Sequence, residues 1–355
     1  MNRISINFSK IFFFLFAPIS ILWESIYRIR RFFYDVGIMK KNRFKVPIIS
    51  IGNLTLGGTG KTPFTLWLGR YLSSKEKKVM VLTRGYKGKF EHGSGIIRTG
   101  KTISQNPYEF GDEALVICRG LTNASVVVGK KRSENLRHYF DLESPDVVLL
   151  DDGHQHLKIE RSLNILLFDS LLPIERYKAP PLGYLREGLT ALKDADMVVL
   201  GRADLCEPEQ KDKLIKMVQK YTNPGTPIGS FYYSPSSIKD INYVEKFSPD
   251  QLSGKKVICI SGVASPHSFY ELVESLGGLI IDSYEFNDHH FYTKEELFPI
   301  IEQAEREDAI ILTTEKDIVK LRRIVESLKI FFVEIEIKFS SGQEELERLV
   351  DKVTL

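Results

Sequence analysis

The chain has few cysteines, little charge imbalance and no long apolar run, and each shortage excludes something. Its three cysteines, Cys118, Cys206 and Cys259, stand far apart with no C-x-x-C spacing. That argues against a disulfide framework or a cysteine zinc site and fits a reducing cytosol. A formal net charge of +3 is too small to suggest a nucleic-acid binder. There is no internal repeat and no low-complexity tract. The apolar run Ile11 to Trp23 has thirteen residues, against the ~20 needed to cross a hydrocarbon core. No small-x-small cleavage site follows it, so it does not read as a signal peptide. What remains is a globular chain of 355 residues, 43% hydrophobic and 27% charged, long enough for two domains or one elaborated α/β domain.

Around and after that run the N-terminus looks amphipathic. Ile26, Phe32 and Phe33 alternate with Arg28, Arg30 and Arg31, the composition of a helix over residues 1–35 lying in a bilayer interface with arginines toward anionic head groups. A helix packed on its own domain is the alternative. The consecutive Phe12, Phe13 and Phe14 favour the membrane, because neighbours in sequence cannot share one helical face.

The stretch V-P-I-I-S-I-G-N-L-T-L-G-G-T-G-K-T-P, Val46 to Pro63, organises the rest. Its first half is apolar and β-branched, a buried strand; its second half is a glycine-rich loop ending in Gly60-Lys61-Thr62. Glycines at 57, 58 and 60 let backbone N–H groups turn inward around an anion. The helix beginning near Lys61 adds its N-terminal dipole, Lys61 a point charge for the terminal phosphates, and Thr62 a hydroxyl for Mg²⁺. The usual pattern G-x-x-x-x-G-K-[ST] wants glycine at position 55, where this chain has Thr55. A glycine-rich turn without a ligand stays open as the other reading.

Downstream, strand and helix patterns alternate, which predicts an α/β fold with a mostly parallel sheet. The composition predicts a P-loop core over 36–222 and a smaller α/β domain over 223–355, joined through the Pro-, Gly-, Ser- and Asn-rich stretch 222–254. Residues 77–86 read as a strand that sets Arg84 at its carboxyl end, as a ligand contact or a solvated turn residue. Residues 87–105 read as a β-ribbon or flap. Asp112 and Glu113 open a helix, where the dipole stabilises them whether or not they do chemistry. The strand 146–150 ends in D-D-G-H-Q-H (151–156), which places a carboxylate beside a nucleotide's metal. Zinc on His154 and His156 is a weak rival without a third ligand motif. E-F-N-D-H-H-F-Y-T (285–293), with Thr293 capping a helix, and T-T-E-K-D (313–317) also follow predicted strands.

Taken in order, G-N-L-T-L-G-G-T-G-K-T-P, L-T-R-G-Y, G-D-E, D-D-G-H-Q-H, P-L-G-Y-L-R-E, F-N-D-H-H-F-Y-T and T-T-E-K-D resemble the tetraacyldisaccharide 4'-kinase family, the lipid A 4'-kinases of Gram-negative bacteria. The similarity runs from about Val46 to Lys320, and the family shares the threonine-for-glycine loop. The resemblance implies transfer of the ATP γ-phosphate to the 4'-hydroxyl of a tetraacylated glucosamine disaccharide 1-phosphate, giving lipid IVA at the cytoplasmic face of the inner membrane. It implies ATP and Mg²⁺, with no nucleic acid and no obligate protein partner.

By matching motifs, Leu56, Gly57, Gly58, Thr59, Gly60, Lys61, Thr62 and Pro63 hold the nucleotide, and Thr62, Asp151 and Glu187 the metal. Asp112 resembles the family's proposed base, paired with His289, with His290 adjacent. Lys61, Asp151 and Asp152 complete the catalytic set, and Arg84, Glu113, His156, Arg186 and Glu187 take further active-site positions. Domain closure is expected to assemble the Asp112–His289 pair. The alternative is a membrane-targeted P-loop ATPase or GTPase switch, although the N-K-x-D of guanine specificity is missing.

Overall fold

A computed structural model describes residues 8–100, 106–263, 265–324 and 329–355, with backbone alone for 8–14. Its helices are α1 (Phe8–Asp35), α2 (Lys61–Ser74), α3 (Pro107–Phe110), α4 (Asp112–Gly120), α5 (Arg132–Glu143), α6 (Pro208–Tyr221), α7 (Pro266–Ser275), α8 (Lys294–Arg306), α9 (Glu315–Leu321) and α10 (Gln343–Thr354). The strands are β1 (Ile48–Asn53), β2 (Val79–Thr83), β3 (Gly95–Arg98), β4 (Ala124–Val128), β5 (Val147–Asp151), β6 (Leu163–Asp169), β7 (Met197–Gly201), β8 (Ile228–Asp240), β9 (Glu245–Phe247), β10 (Lys256–Ser261), β11 (Leu279–Glu285), β12 (Ile310–Thr313) and β13 (Ile330–Ser341).

Two compact units result, one of Met1–Leu82, Leu136–Tyr232 and Lys338–Leu355, the other of Thr83–Asn135 and Tyr233–Ile337. Residues 83–135, read from the sequence as part of a 36–222 core, cluster with 233–337. Residues 222–254, expected to be a connection, hold the thirteen-residue strand β8. Their Ser and Gly content misleads because β8 carries Ile228, Gly229, Ser230 and Phe231 into a ladder with β7.

In the first unit the strands run β8-β7-β6-β1-β5-β2, all parallel. β1 lies inside this order and is buried at every residue, which is why its sequence is apolar on both faces. Gly52 near its end has no alternative: a Cβ there would lie 2.5 Å from the His154 Cβ and 2.7 Å from the His154 nitrogen. Helix α2 follows the loop and buries Phe64, Leu68 and Leu72 at four-residue spacing. The Phe64 ring packs 5.9 Å from Phe231 and 6.2 Å from Phe339, so the helix that starts at the loop is wedged in the core.

Helix α1 belongs to the same unit and has two opposite faces. Ser20, Arg31 and Tyr34 are buried, and Ser20 Oγ donates to the Ala179 carbonyl at 2.8 Å. Leu15, Ile19, Leu22, Ile26, Ile29 and Phe32 are more than half exposed. The arginines therefore do not all face outward as expected: Arg31 is buried and Arg30 donates to the Gln155 carbonyl at 3.1 Å, leaving Arg28 exposed. Among the described residues no helix is long and apolar enough to cross a membrane. The side chains of Phe12, Phe13 and Phe14 and the end of the expected flap, 101–105, lie outside the described residues.

The second unit holds a parallel run β11-β10-β12-β13 over a core that includes Val257, Cys259, Phe269, Val273 and Leu312. β3, expected to belong to a ribbon within 87–105, pairs antiparallel with β4. The α/β class and the mostly parallel pairing match the sequence pattern.

Replacing Phe64 by Ala is expected to cost about 3–5 kcal/mol of the first unit's stability, since the aromatic cluster cannot close over the void. Denaturant unfolding followed by Trp67 fluorescence checks this, and a loss under about 1 kcal/mol contradicts the wedge.

Candidate active site

The nucleotide-type loop leaves β1 at Asn53. Gly57 and Gly60 both take positive φ, 107° and 81°, and a Cβ on Gly57 or Gly58 would meet nothing within 4 Å, so the loop crest is open. Gly60 caps α2 without any side-chain hydrogen bond. The first-turn N–H groups of Lys61 and Thr62 therefore point toward the loop interior with the positive end of the helix dipole, and Pro63 forfeits no donor that the helix needs. The Thr59 hydroxyl and Arg186 Nε are buried without a protein partner. Orphaned donors beside an uncapped helix start suit a phosphate.

Thr55 needs no glycine. It is 3% exposed and forms a β-bridge with Leu185, an extended geometry that favours a β-branched residue. The bridge continues on both sides: Leu56 N donates to the Tyr184 carbonyl and Arg186 N to the Leu54 carbonyl, each at 2.7 Å. The P-L-G-Y-L-R-E loop is thus laced to the first residues of the nucleotide loop, and this brings in Arg186.

The Arg186 guanidinium holds both Asp152 oxygens at 2.9 and 2.8 Å, and Lys61 Nζ lies 3.5 Å from Asp152. Asp152 itself takes a positive φ of 52°, turning off the end of β5. Asp151, the last residue of β5, is 3% exposed beside β1 and accepts from Thr65 Oγ1 at 3.3 Å. Thr62 is 9% exposed. His156 is half-buried, and its N–H closes the turn onto the Gly153 carbonyl at 2.9 Å.

Glu187 departs from its expected role as metal ligand. It is 1% exposed, and Arg31 of α1 holds both of its oxygens, at 2.6 and 2.9 Å. Gln155 Nε2 adds a third bond at 3.0 Å. A carboxylate neutralised this way is engaged with a guanidinium rather than available to a cation. Arg31 also bonds Asp194, and its Nη2 lies 2.7 Å from His154 Nε2. A guanidinium only donates, so that ring nitrogen accepts and the proton sits on Nδ1, which donates to Asn164 Oδ1 at 3.5 Å. Burial, then the charges of Arg31 and Arg161, push His154 well below the usual histidine value and keep it neutral. With both ring nitrogens engaged, His154 offers nothing to zinc.

The second unit contains the carboxylate–histidine pair already formed. Gly111, φ 81°, lets the chain turn into α4 at Asp112, and a Cβ there would meet the Tyr86 carbonyl at 2.9 Å. Asp112 Oδ1 accepts from the Glu113 N–H at 2.9 Å, and Oδ2 is 2.8 Å from His289 Nδ1. His289 is held in the left-handed region, φ 62°, by its own N–H on the Gly262 carbonyl at 3.1 Å. Asp112 and His289 lie in one compact unit, so the expectation that closure assembles the pair is corrected: the bond exists without it. His290 is engaged elsewhere, with Nε2 3.1 Å from both Glu296 oxygens in the Thr293 capping box of α8.

Burial would raise the Asp112 carboxyl, but the His289 hydrogen bond and the charges of Lys316, His289 and Lys320 outweigh it and hold it below the usual carboxylate value. Lys316 donates to Glu113 at 2.9 Å. Lys320, 3% exposed, lies 3.9 Å from Asp112 Oδ2 and 2.8 Å from Asp317 Oδ1, the latter as an ion pair rather than an aligned hydrogen bond. Asp317, fully buried, also accepts from Gly262 N–H, Thr314 Oγ1 and Tyr292 OH at 3.0, 2.7 and 2.9 Å. The sequence marks T-T-E-K-D as a cluster after a strand but gives Lys316, Asp317 and the later Lys320 no individual role; the signal was Lys316 and Lys320 at i, i+4 on α9. Arg84, half-exposed, pairs with Glu91 at 2.7 Å and lies over the Tyr86 ring.

A carboxylate held below its ordinary value of 3.8 contributes stability that is present above that pH and lost as pH falls through the folded value. His289→Ala removes the leading lowering interaction. The variant is therefore expected to be less stable than the wild type at pH 7, with the gap narrowing at pH 3. Urea unfolding at both pH values measures it; an equal gap at each contradicts the linkage.

The family model described as "Tetraacyldisaccharide-1-P 4'-kinase" matches residues 12–354. A "Tetraacyldisaccharide 4'-kinase" of Pelobacter propionicus is 33% identical over 86% of this chain and 82% of its own. One of Halothermothrix orenii is 31% identical over 97% and 93%. A crystal structure of LpxK from Aquifex aeolicus in complex with ATP superposes with a TM-score of 0.77 at 29% identity, covering 96% of this chain and 98% of that one.

Proposed function

The chain belongs to the tetraacyldisaccharide-1-P 4'-kinase family, and we propose that it transfers the γ-phosphate of ATP to the 4'-hydroxyl of tetraacyldisaccharide 1-phosphate, forming lipid IVA in lipid A synthesis. The observation that carries this reading is the preformed Asp112–His289 pair at 2.8 Å, in a chain whose loop offers an uncapped helix start to phosphate. A switch that only hydrolyses its nucleotide has no need of a buried base kept for an alcohol acceptor.

Phosphoryl transfer asks the protein mainly for positioning and charge neutralisation. The N–H groups of the 57–62 loop and Lys61 bind the β- and γ-phosphates, for which Lys61 exchanges its contact with Asp152. Arg186, already oriented by Asp152, adds a second positive charge. The 4'-hydroxyl is a poor acid, so its proton passes late in the transfer to the Asp112–His289 pair. Asp112, ionised at neutral pH, fixes the His289 ring through Nδ1 and shares the proton with it. Lys316 and Lys320 hold the pair's surroundings positive.

Of the residues at the loop, Thr62 and Asp151 are the ones whose oxygens would hold Mg²⁺, Asp152 being engaged by Arg186 and Lys61. Among the described residues no group of three or more acidic, histidine or cysteine side chains stands ready to hold a metal alone, as fits an ion that arrives with its nucleotide. When bound, the ion would neutralise phosphate charge during transfer.

The acceptor is a lipid, and the exposed apolar face of α1 supports peripheral seating on the cytoplasmic face of the inner membrane. There its apolar side chains reach the acyl boundary.

Protein incubated with γ-labelled ATP, detergent and tetraacyldisaccharide 1-phosphate is expected to label the lipid. Phosphate release that ignores the acceptor overturns the kinase reading. In the same assay Lys61→Ala and Asp112→Ala are each expected to lower turnover by about 10²-fold or more, and His289→Ala to cost more than His290→Ala. Near-normal turnover in Lys61→Ala or Asp112→Ala, or the reverse histidine ranking, removes the role concerned.

A further inference from the structure

The polar face of α1 reaches the nucleotide loop. Trp23 Nε1 donates to the Arg186 carbonyl at 2.9 Å, and Arg31 forks onto Glu187 at 2.6 and 2.9 Å. The same Gln155 Nε2 that donates to Glu187 also donates to the Asn53 carbonyl at 2.9 Å, where β1 becomes the loop. Between these contacts runs segment 184–187, whose inner edge bridges Leu54 and Leu56 and whose Arg186 holds Asp152 beside Lys61. Apart from the single bridge at Leu185 this segment is in no helix or strand ladder. Two backbone bonds, Tyr184 N to the Arg176 carbonyl and Leu185 N to the Lys178 carbonyl, each at 2.9 Å, hold its start; at Arg186 and Glu187 its partners are the loop on one side and α1 on the other.

We propose that α1 is a working part of the nucleotide site: Trp23 and Arg31 are positioning residues that press segment 184–187 against the loop, so the helix that seats the protein on lipid also sets its affinity for ATP. Without Arg31, the Glu187 carboxylate would be buried and unpaired. The segment must then shift outward to hydrate it, moving Arg186 away from Asp152 and slackening the bridge to Thr55. Without the Trp23 N–H, the Arg186 carbonyl loses its partner and the same segment loosens by less. The apolar face of α1, with Ile26 and Phe32 exposed at 56% and 57%, makes none of these contacts. Lipid binding and nucleotide binding are thus separable by face.

The inference rests on the loop being the ATP site, and the test keeps the two apart. Affinity for a fluorescent ATP analogue with Mg²⁺ is measured on the full chain in detergent micelles without lipid acceptor, so membrane attachment does not enter. Trp23→Phe, which keeps an aromatic ring but removes the indole N–H together with its pyrrole ring, is expected to weaken binding at least about threefold, the scale of one hydrogen bond. It should raise KM for ATP with KM for the lipid unchanged. Arg31→Met is expected to weaken binding by about 30-fold or more. Ile26→Gln combined with Phe32→Gln is expected to abolish co-sedimentation with anionic phospholipid vesicles and leave the analogue's Kd at the wild-type value. If Trp23→Phe, with wild-type circular dichroism and thermal transition, keeps wild-type Kd and KM for ATP, the inference fails even where Arg31→Met cannot be purified folded. If the wild-type protein binds no analogue, the nucleotide assignment itself fails.

Discussion

Arg31 and Glu187 are 5% and 1% exposed, and neither side chain has water to fall back on. Two charges removed from solvent are tolerable only as a complete pair with good geometry, and breaking such a pair costs about 3–5 kcal/mol because the survivor stays buried. The first unit is arranged to complete it. Burial works against the Arg31 charge, but the hydrogen bond and charge of Glu187, then the charges of Asp194 and Asp35, outweigh it and hold the guanidinium above its ordinary value. His154, fully buried against the same guanidinium, stays neutral and packs on Gly52, where no side chain would fit. From this one pair follow the seat of α1, the course of segment 184–187 and the lacing of the nucleotide loop.

The second unit meets the same constraint with more members. Asp317 is fully buried and satisfied by a backbone N–H, a threonine, a tyrosine and Lys320. Lys320 then lies close enough to Asp112 to favour its ionised form. The network holds two carboxylates with unequal tasks. Asp317 is saturated by donors and structural, tying Gly262 to α9 and so fixing the backbone that positions His289. Asp112 keeps one oxygen on its own helix start and one on His289.

Local patterns were legible in the sequence and distant pairings were not. Strand, glycine turn and helix start lie within 46–63, so periodicity and spacing delivered the loop, and alternation of strands with helices delivered the α/β class. Asp112 and His289 lie 177 positions apart. No spacing rule joins them, and only the resemblance to a family suggested the pair. Glu187 failed for the same reason: its partner Arg31 is 156 residues away, so an acidic residue in a conspicuous motif looked like a metal ligand. Thr55 looked like a defect in the loop until its β-bridge to Leu185 explained it. β8 was missed because its serines and glycine resemble a linker, while the ladder to β7 that makes it a strand is a tertiary fact.

The choice of arginine at position 31 is itself an argument about geometry. The side chain meets two oxygens of Glu187, one of Asp194 and a ring nitrogen of His154, which lie in several directions around one buried point. A planar guanidinium with five fixed donors covers them in a single rotamer, whereas a lysine ammonium, a compact charge with three donors, would satisfy part of the set and leave a lone pair of Glu187 or His154 bare. An arginine placed for lipid head groups would need none of this; it would snorkel to water and tolerate lysine. The polar half of α1 is therefore specified by the protein beneath it, and only the apolar half by whatever covers it from outside.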